Sequence, residues 1–479
     1  MKVKNLFAVT LAGLAFTACN NDDALTPDNG PEVGKAYAAV SISINGTGTR
    51  ASNGDPNAFA AENKIENIWA WINGKPIEIP VSDITWNNGV GTAQKAYEVP
   101  GKDGDQAKVW VVVNRVEPTG LPLGMSHFGT SSPQVYENLV GALTTSEKGY
   151  TMFSNAEATA TLKSTEDDAI AVANTAKVTV QRAAAKVLVM DSEKDYKTKD
   201  VEVTNGQGTI VAGSLKWYIG NSNRVLFCTP QLNNADPNFH FESKPWNDYN
   251  KDYVQLSDVT GAWRDLSTPE GNITGSGRAI DKLIAIANKG TTTGAATENE
   301  VLYCNENTAD DYKVSNTTYV LLEAQFTPKK LIHINVGGTQ EMPTTDKDGI
   351  INGTLGATFY VHKASGLYFT ASGVADYNAK FGTSNFDDFY TYENAKCYYR
   401  INIKDGKTAD AQLGVLRNHY YSMAIGDISG LGSWTDPTNP VNPNIPNPEE
   451  PAEPKKALVA VDITVEPWNA VDMGTVKPL

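Results

Sequence analysis

Along most of this chain, apolar side chains recur at every second position in short runs, the period of a β-strand with one buried face. Across residues 37–44, Ala38, Val40, Ile42 and Ile44 fall on one face while Ser41 and Ser43 fall on the other. Two runs, NKIENIWAWIN at 63–73 and AKVWVVVN at 107–114, are apolar on both faces and predict central strands. Further strands are expected at 149–155, 214–219, 317–326, 331–336, 356–362, 397–403 and 418–425, with a strand pair or bent strand at 176–190. In the 418–425 run the alternation groups Tyr421, Met423 and Ile425, which predicts core rather than a sugar-stacking surface. Helical spacing is rare; Ile280, Leu283, Ile284 and Ala287 carry it within 277–288. The pattern predicts a mainly antiparallel β protein with few short helices.

The last run, 457–471, alternates cleanly. Val459, Val461, Ile463 and Val465 face one way, and Ala460, Asp462, Thr464 and Glu466 the other. Before it, residues 435–456 place prolines at 437, 440, 443 and 446 and then at 448, 451 and 454, a spacing that suits polyproline II. At about 3.1 Å per residue, roughly twenty such residues reach on the order of 60 Å, far more than a hairpin needs. The final strand therefore sits on a long, stiff leash. The first strand has a different neighbour: Gly46 and Gly48 lead into Arg50, a lone basic residue among small ones and a good target for proteolysis.

Taken alone, Arg50 is a basic residue in a flexible loop. Beside the matched pair of strands it acquires a purpose. The apolar sets Ala38, Val40, Ile42, Ile44 and Val459, Val461, Ile463, Val465 differ by about one methylene, worth roughly 0.8 kcal/mol, so composition would not make one displace the other. Covalency decides instead. While joined to its domain the first strand competes at an effective concentration in about the millimolar range or above. Once the link at Arg50 is cut the strand can leave, opening a groove with unpaired backbone groups that a strand from another molecule can fill.

With 479 residues, 41% hydrophobic and 20% charged, the chain is long enough for two domains or a little more. A net charge of −15 without any Lys/Arg-rich run argues against nucleic acid as a partner. Lys2 and Lys4 precede an apolar stretch, 6–16, too short to span a bilayer; it ends in FTAC at Cys19, which resembles a lipoprotein signal over 1–18. A plain secretory signal would explain the apolar stretch but not the cysteine. The polar, acidic segment after it reads as a tether. Cys228, Cys304 and Cys397 are too few for a disulfide framework and are expected as small buried hydrophobes, with at most one bridge. The five histidines, 127, 240, 333, 362 and 419, lack ligand spacing, and His333 reads as structural. DKDG at 346–349 offers Asp346 and Asp348 but no later acidic ligand, so a turn is expected, with calcium a lesser alternative. No catalytic constellation, cofactor or metal is expected.

Several motifs together resemble one family: GTRAS around Arg50, AKVWVVVN, TAKVTVQRAAAKV, TTYVLLEAQFTPKK, GVLRNHYYSMAIGDISGLG, and VAVDITVEPW after the Pro-rich segment. They are similar to the fimbrillins of Bacteroidales, subunits of type V pili, and most of all to the shaft subunit of the minor fimbria. The resemblance implies two antiparallel β-sandwich domains of transthyretin-like type, 51–182 and 183–434, the first completed by 36–45 before cleavage. It further implies lipidation at Cys19, a removable segment over 19–50, a cut between Arg50 and Ala51 by an arginine-specific protease, a linker over 435–456 and a donor strand within 457–479. The precursor would be held in the outer membrane by its lipid. The partners would be identical subunits and other fimbrial subunits, anchor and tip, in a cell-surface fimbrium supporting adhesion and biofilm formation. On this reading the donor strand is not part of its own subunit's core. A tip or accessory subunit, or a monomeric glycan-binding surface lipoprotein, are the alternatives. Loop lengths at 115–150 and 231–300 depart from the relatives, so no adhesive surface carries over.

Overall fold

The computed structural model describes residues 34–44, 62, 64–231, 253–254, 263–266, 301–332, 350–405, 412–435, 452 and 459–467, apart from interruptions of at most three residues within those spans. The architecture is mainly β, as the alternating pattern predicts. The first half contains β1 (Lys35–Ala38), β2 (Val40–Ile44), β3 (Ile68–Ile72), β4 (Lys75–Ile79), β5 (Ile84–Asn87), β6 (Val90–Ala93), β7 (Tyr97–Pro100), β8 (Gln106–Val113), β9 (Met152–Ser154), β10 (Ala158–Thr161) and β11 (Ala176–Arg182). Nine of these form one sheet in the order β4-β3-β8-β9-β11-β2-β6-β5, with β10 also paired to β8, and β1 pairs with β7 beside it. Buried residues from strands far apart in that order, such as Ile72, Val109, Ile42 and Val178, share one core, so the sheet curls over on itself.

The two runs that are apolar on both faces are central strands, and the structure supplies a cover for each face. Ile68, Ala70 and Ile72 of β3 point into the first core. Trp71 of β3 and Trp110 and Val112 of β8 meet Phe128, Tyr136, Phe153, Leu226 and Cys228 in a separate cluster on the other side.

The run at 176–190 divides. Ala183 separates β11 from β12 (Ala184–Met190), and the two belong to different sheets. The second half adds β13 (Lys216–Gly220), β14 (Val301–Asn305), β15 (Tyr319–Pro328), β16 (Lys396–Asn402), β17 (His419–Ile428) and β18 (Val459–Pro467). One sheet runs β14-β12-β17-β18; another has β15 at its centre between β13 and β16. Val187, Cys304, Tyr421, Met423 and Ile425 from the first meet Trp217, Leu322, Phe326 and Tyr399 from the second in a common core. Cys228, Cys304 and Cys397 are buried and unbridged, and burial pushes the Cys397 thiol up to about 11.

The longest helix among the described residues was not expected. Residues Ala371–Phe381 form a helix that Thr370 caps, its hydroxyl accepting from the Gly373 amide at 3.0 Å, and that Gly382 ends in the left-handed region at φ 67°. Val374 and Tyr377 are its buried face. The helix expected at 277–288, the DKDG turn with Asp346 and Asp348, and His333 lie outside the described residues.

Candidate functional site

The first strand is an interior strand. β2 pairs parallel with β11, Val40 against Ala176 through Ile44 against Val180, and antiparallel with β6, Ile42 against Gly91 and Ser43 against Val90. In the strand order, the β5–β6 hairpin meets the rest of the sheet only through β2. Ala38, Val40, Ile42 and Ile44 are all buried in the first core, joined by Ala36. At roughly 1.5–3 kcal/mol each, Val40, Ile42 and Ile44 together contribute about 5–9 kcal/mol of apolar burial. The polar face is also satisfied. The Ser43 hydroxyl lies 3.1 Å from that of Thr179, and Ser41 Oγ accepts from the Ala93 amide at 3.2 Å.

The run expected as a single strand changes partners at Ala39. Upstream, β1 pairs with β7, and Tyr37 exchanges backbone bonds of 2.7 and 3.0 Å with Lys163; downstream, the Ala39 carbonyl accepts from Ala176 at 2.9 Å and β2 begins. Charge adds little to this grip. The Lys35–Glu98 pair at 3.0 Å is largely exposed, where such pairs contribute at most about 1 kcal/mol. Tyr97 of β7, opposite Ala38, donates to Asp83 at 2.8 Å; burial first, and then that carboxylate, hold its hydroxyl well above its ordinary range. Gly91, opposite Ile42, is a position the motif reading missed. A Cβ there would meet Ile84 Cγ2 at 2.5 Å and the Trp86 ring at 3.0 Å, so only glycine lets that indole lie across the edge of the β2 slot.

The last strand occupies an edge. β18 pairs antiparallel with β17, placing Val459, Val461, Ile463 and Val465 opposite Ile428, Ile425, Met423 and Tyr421, whose side chains fill the second core. Asp462, Thr464 and Glu466 stand opposite Ala424, Ser422 and Tyr420. This corrects the expectation that the chain's own fold omits the strand. β17 offers a free edge beside a deep apolar row, and a sequence matching that row pairs with it in cis. Within the Pro-rich segment the structure describes Ala452, whose amide donates to the Tyr312 carbonyl at 3.1 Å. Cys19, Arg50 and Ala51 lie outside the described residues. Among the described residues no cluster of three or more His, Cys, Asp or Glu could hold a metal ion.

The two slots differ in one physical respect. β2 is bonded on both sides, β18 on one. A strand held by two ladders cannot slide out while it is tied to its sheet, whereas an edge strand leaves by breaking a single ladder.

Residues 390–473 match the family model described as major fimbrial subunit protein type IV, fimbrillin, C-terminal. That span takes in β16, β17 and β18. Similar solved structures include a cell adhesion protein from Parabacteroides distasonis, 15% identical over 91% of this chain and 99% of that one, with a TM-score of 0.41. A fimbrilin from Porphyromonas gingivalis is 16% identical over 91% of this chain and 99% of that one, with a TM-score of 0.40. The tip fimbrial protein Mfa3 of the same organism, truncated at its C-terminus, is 11% identical over 91% of this chain and 100% of that one, with a TM-score of 0.35.

Proposed function

From the place of its C-terminal region in the fimbrillin family, we propose that this chain is a structural subunit of a cell-surface fimbria that polymerises by strand exchange. The precursor is exported as a lipoprotein, with Cys19 carrying the lipid that holds it at the outer membrane. An arginine-specific protease cuts between Arg50 and Ala51. The β1–β2 segment then leaves, and the slot between β11 and β6 is filled by the C-terminal strand of an identical subunit, anchor and tip subunits closing the two ends.

The observation that carries this reading is the contrast between the slots. Before the cut, β2 is the interior strand on which the β5–β6 hairpin depends, so its loss opens two ladders at once. A β-strand addition there regains both, together with the apolar floor formed by Val178, Val180, Val109 and Ile68. The terminal strand has the matching pattern, and its cis position at a sheet edge costs only one ladder to leave.

The test is Arg50→Ala. The variant is expected to remain a folded, lipid-anchored monomer, because the uncut strand keeps its intramolecular advantage over any incoming strand. Wild-type surface material run on a gel without boiling should give a ladder with Ala51 as the first residue, and the variant a single band. A ladder from the variant, or Cys19 as the first residue throughout wild-type filaments, overturns the reading.

A further inference from the structure

Glu62 lies in no strand, and it is fully buried. Its carboxylate is bound from two elements of the second half. Lys186 Nζ of β12, itself buried, sits 3.0 and 3.1 Å from the two carboxyl oxygens, and the Tyr303 hydroxyl of β14 donates to one of them. The Glu62 backbone carbonyl accepts from Arg182 Nε of β11 at 3.2 Å, and the Arg182 guanidinium also reaches Asn418. Lys186 in turn lies 4.9 Å from the centre of the Tyr420 ring on β17. A few residues on, Asn114 grips the same stretch again: its side chain donates to the Lys64 carbonyl at 2.7 Å and accepts from the Glu66 amide at 2.8 Å.

Burying a carboxylate and an ammonium is costly, and a pair of them is weak evidence for stability in itself. What such a pair does well is fix a segment in one place, because separation would leave each charge buried without its ion partner. Upstream of the cut, the chain is held by β11 and β6 in the first core. Downstream, its first described residue is held by β12 and β14 on the face of their sheet turned away from the second core, where Leu188, Met190 and Tyr420 cluster. We infer that Glu62 is a staple: with Lys186 and Tyr303 it fastens the chain behind the Arg50–Ala51 cut to the β14-β12-β17 sheet, so that proteolysis frees the β1–β2 segment and nothing more. This rests on the reading of Arg50 as the cut site. Its consequence for assembly is that β3, which begins just after Glu62 and builds one wall of the first core, keeps its register while the slot stands open.

The experiment uses the full chain, cut in vitro with an arginine-specific protease and then challenged with a lysine-specific one. Lys64 is exposed and lies just past the staple. In cut wild-type protein, Lys64 should stay resistant. In cut Glu62→Gln, and equally in cut Lys186→Met, cleavage after Lys64 should be at least about tenfold faster, while the uncut variants remain close to uncut wild type. The double variant should be no worse than either single one, since both remove the same link. Tyr303→Phe, which keeps the ion pair, should give only a few-fold increase and serves if the stronger variants fold poorly. Cut Glu62→Gln that resists at Lys64 as wild type does overturns the staple, as does equal acceleration in cut and uncut forms, which would make Glu62 a general stabiliser. Absence of cleavage at Arg50 in the wild type is a separate failure, of the strand-removal reading. In that case amide exchange over 64–72 in the uncut chain decides the staple: faster exchange in Glu62→Gln supports it and unchanged exchange overturns it.

Discussion

A substitution in the first strand should weaken the precursor and leave the filament untouched. Ile42 has no exposed surface; it faces Val178 across one ladder and Gly91 across the other. Ile42→Ala removes buried carbon and leaves a cavity whose walls are two hydrogen-bonded ladders with little freedom to collapse, so about 2–5 kcal/mol should be lost. For a cooperative unit of this size that corresponds to a fall in Tm of roughly 5–15 °C. If the strand is discarded on assembly, the substituted residue is absent from the polymer. Filaments from Ile42→Ala should then melt like wild type. Ile72→Ala provides the contrast: Ile72 is equally buried in the same core, but on β3, which stays. It should lower the stability of precursor and filament alike. Differential scanning calorimetry on uncut monomer and purified filament for both variants measures this directly. A filament of Ile42→Ala destabilised as much as that of Ile72→Ala would mean that the first strand is still in its slot, and the exchange mechanism would be wrong.

Two further outcomes are expected. Val461→Asp, placed by register opposite the buried Ile425, should lower monomer Tm and abolish filaments, whereas Thr464→Asp, opposite Ser422, should do less on both counts; equal effects would refute the register. His362 accepts from the Ser365 amide through Nδ1, meets Tyr377 at 3.1 Å through Nε2 and packs against Phe369 and Phe389, and burial, opposed by the Asp388 carboxylate, holds its imidazole below the usual value. A depressed folded-state value means that its contribution is fully present above the unfolded value near 6.5 and is lost as pH falls towards the folded one, so amide exchange over 359–381 should quicken on acidification. The same acid response in His362→Gln would exclude the imidazole as its source.

The parts of the fold that were legible in the sequence are those where polar and apolar residues contrast. Ala38, Val40, Ile42 and Ile44 were readable as a buried row because Ser41 and Ser43 separate the last three. The break at Ala39 was not, because Ala36, Ala38 and Ala39 give no contrast from which a change of partner could be inferred, and Ala39 is buried too, against Ala93, Ala96 and Ala169. The same holds at 183–185, where three alanines hide the point at which β11 ends in one sheet and β12 begins in another. The helix 371–381 was masked by the small residues of its first turn, although Thr370 and Gly382 bracket it as cap and stop. Glu62 carried no signal of its own: a glutamate beside Asn63 and Lys64 reads as solvated, and its partners Lys186 and Tyr303 lie far along the chain.

The cis position of the last strand was also invisible to pattern, and it bears on why exchange should run forward. Alternation says that a strand has one apolar face, not whose core that face completes. In cis, β18 closes one ladder along β17. In a neighbour's vacated slot it would lie between β11 and β6 and close two. By register the strand's apolar row stands opposite an apolar row in cis as well, so apolar contact is not what decides between the two positions. The difference is therefore one extra ladder, at a net of about 0.5–1.5 kcal/mol per hydrogen bond, set against an association cost of about 4–15 kcal/mol. These terms are of similar size, so an intact precursor, whose slot is already filled, has nothing to gain from a second copy. Removal of β1–β2 changes the sign by leaving an unfilled groove with its apolar floor in water. On this accounting the stored free energy that drives assembly lies in the emptied slot of the acceptor, and the leash serves only to let the donor strand reach it.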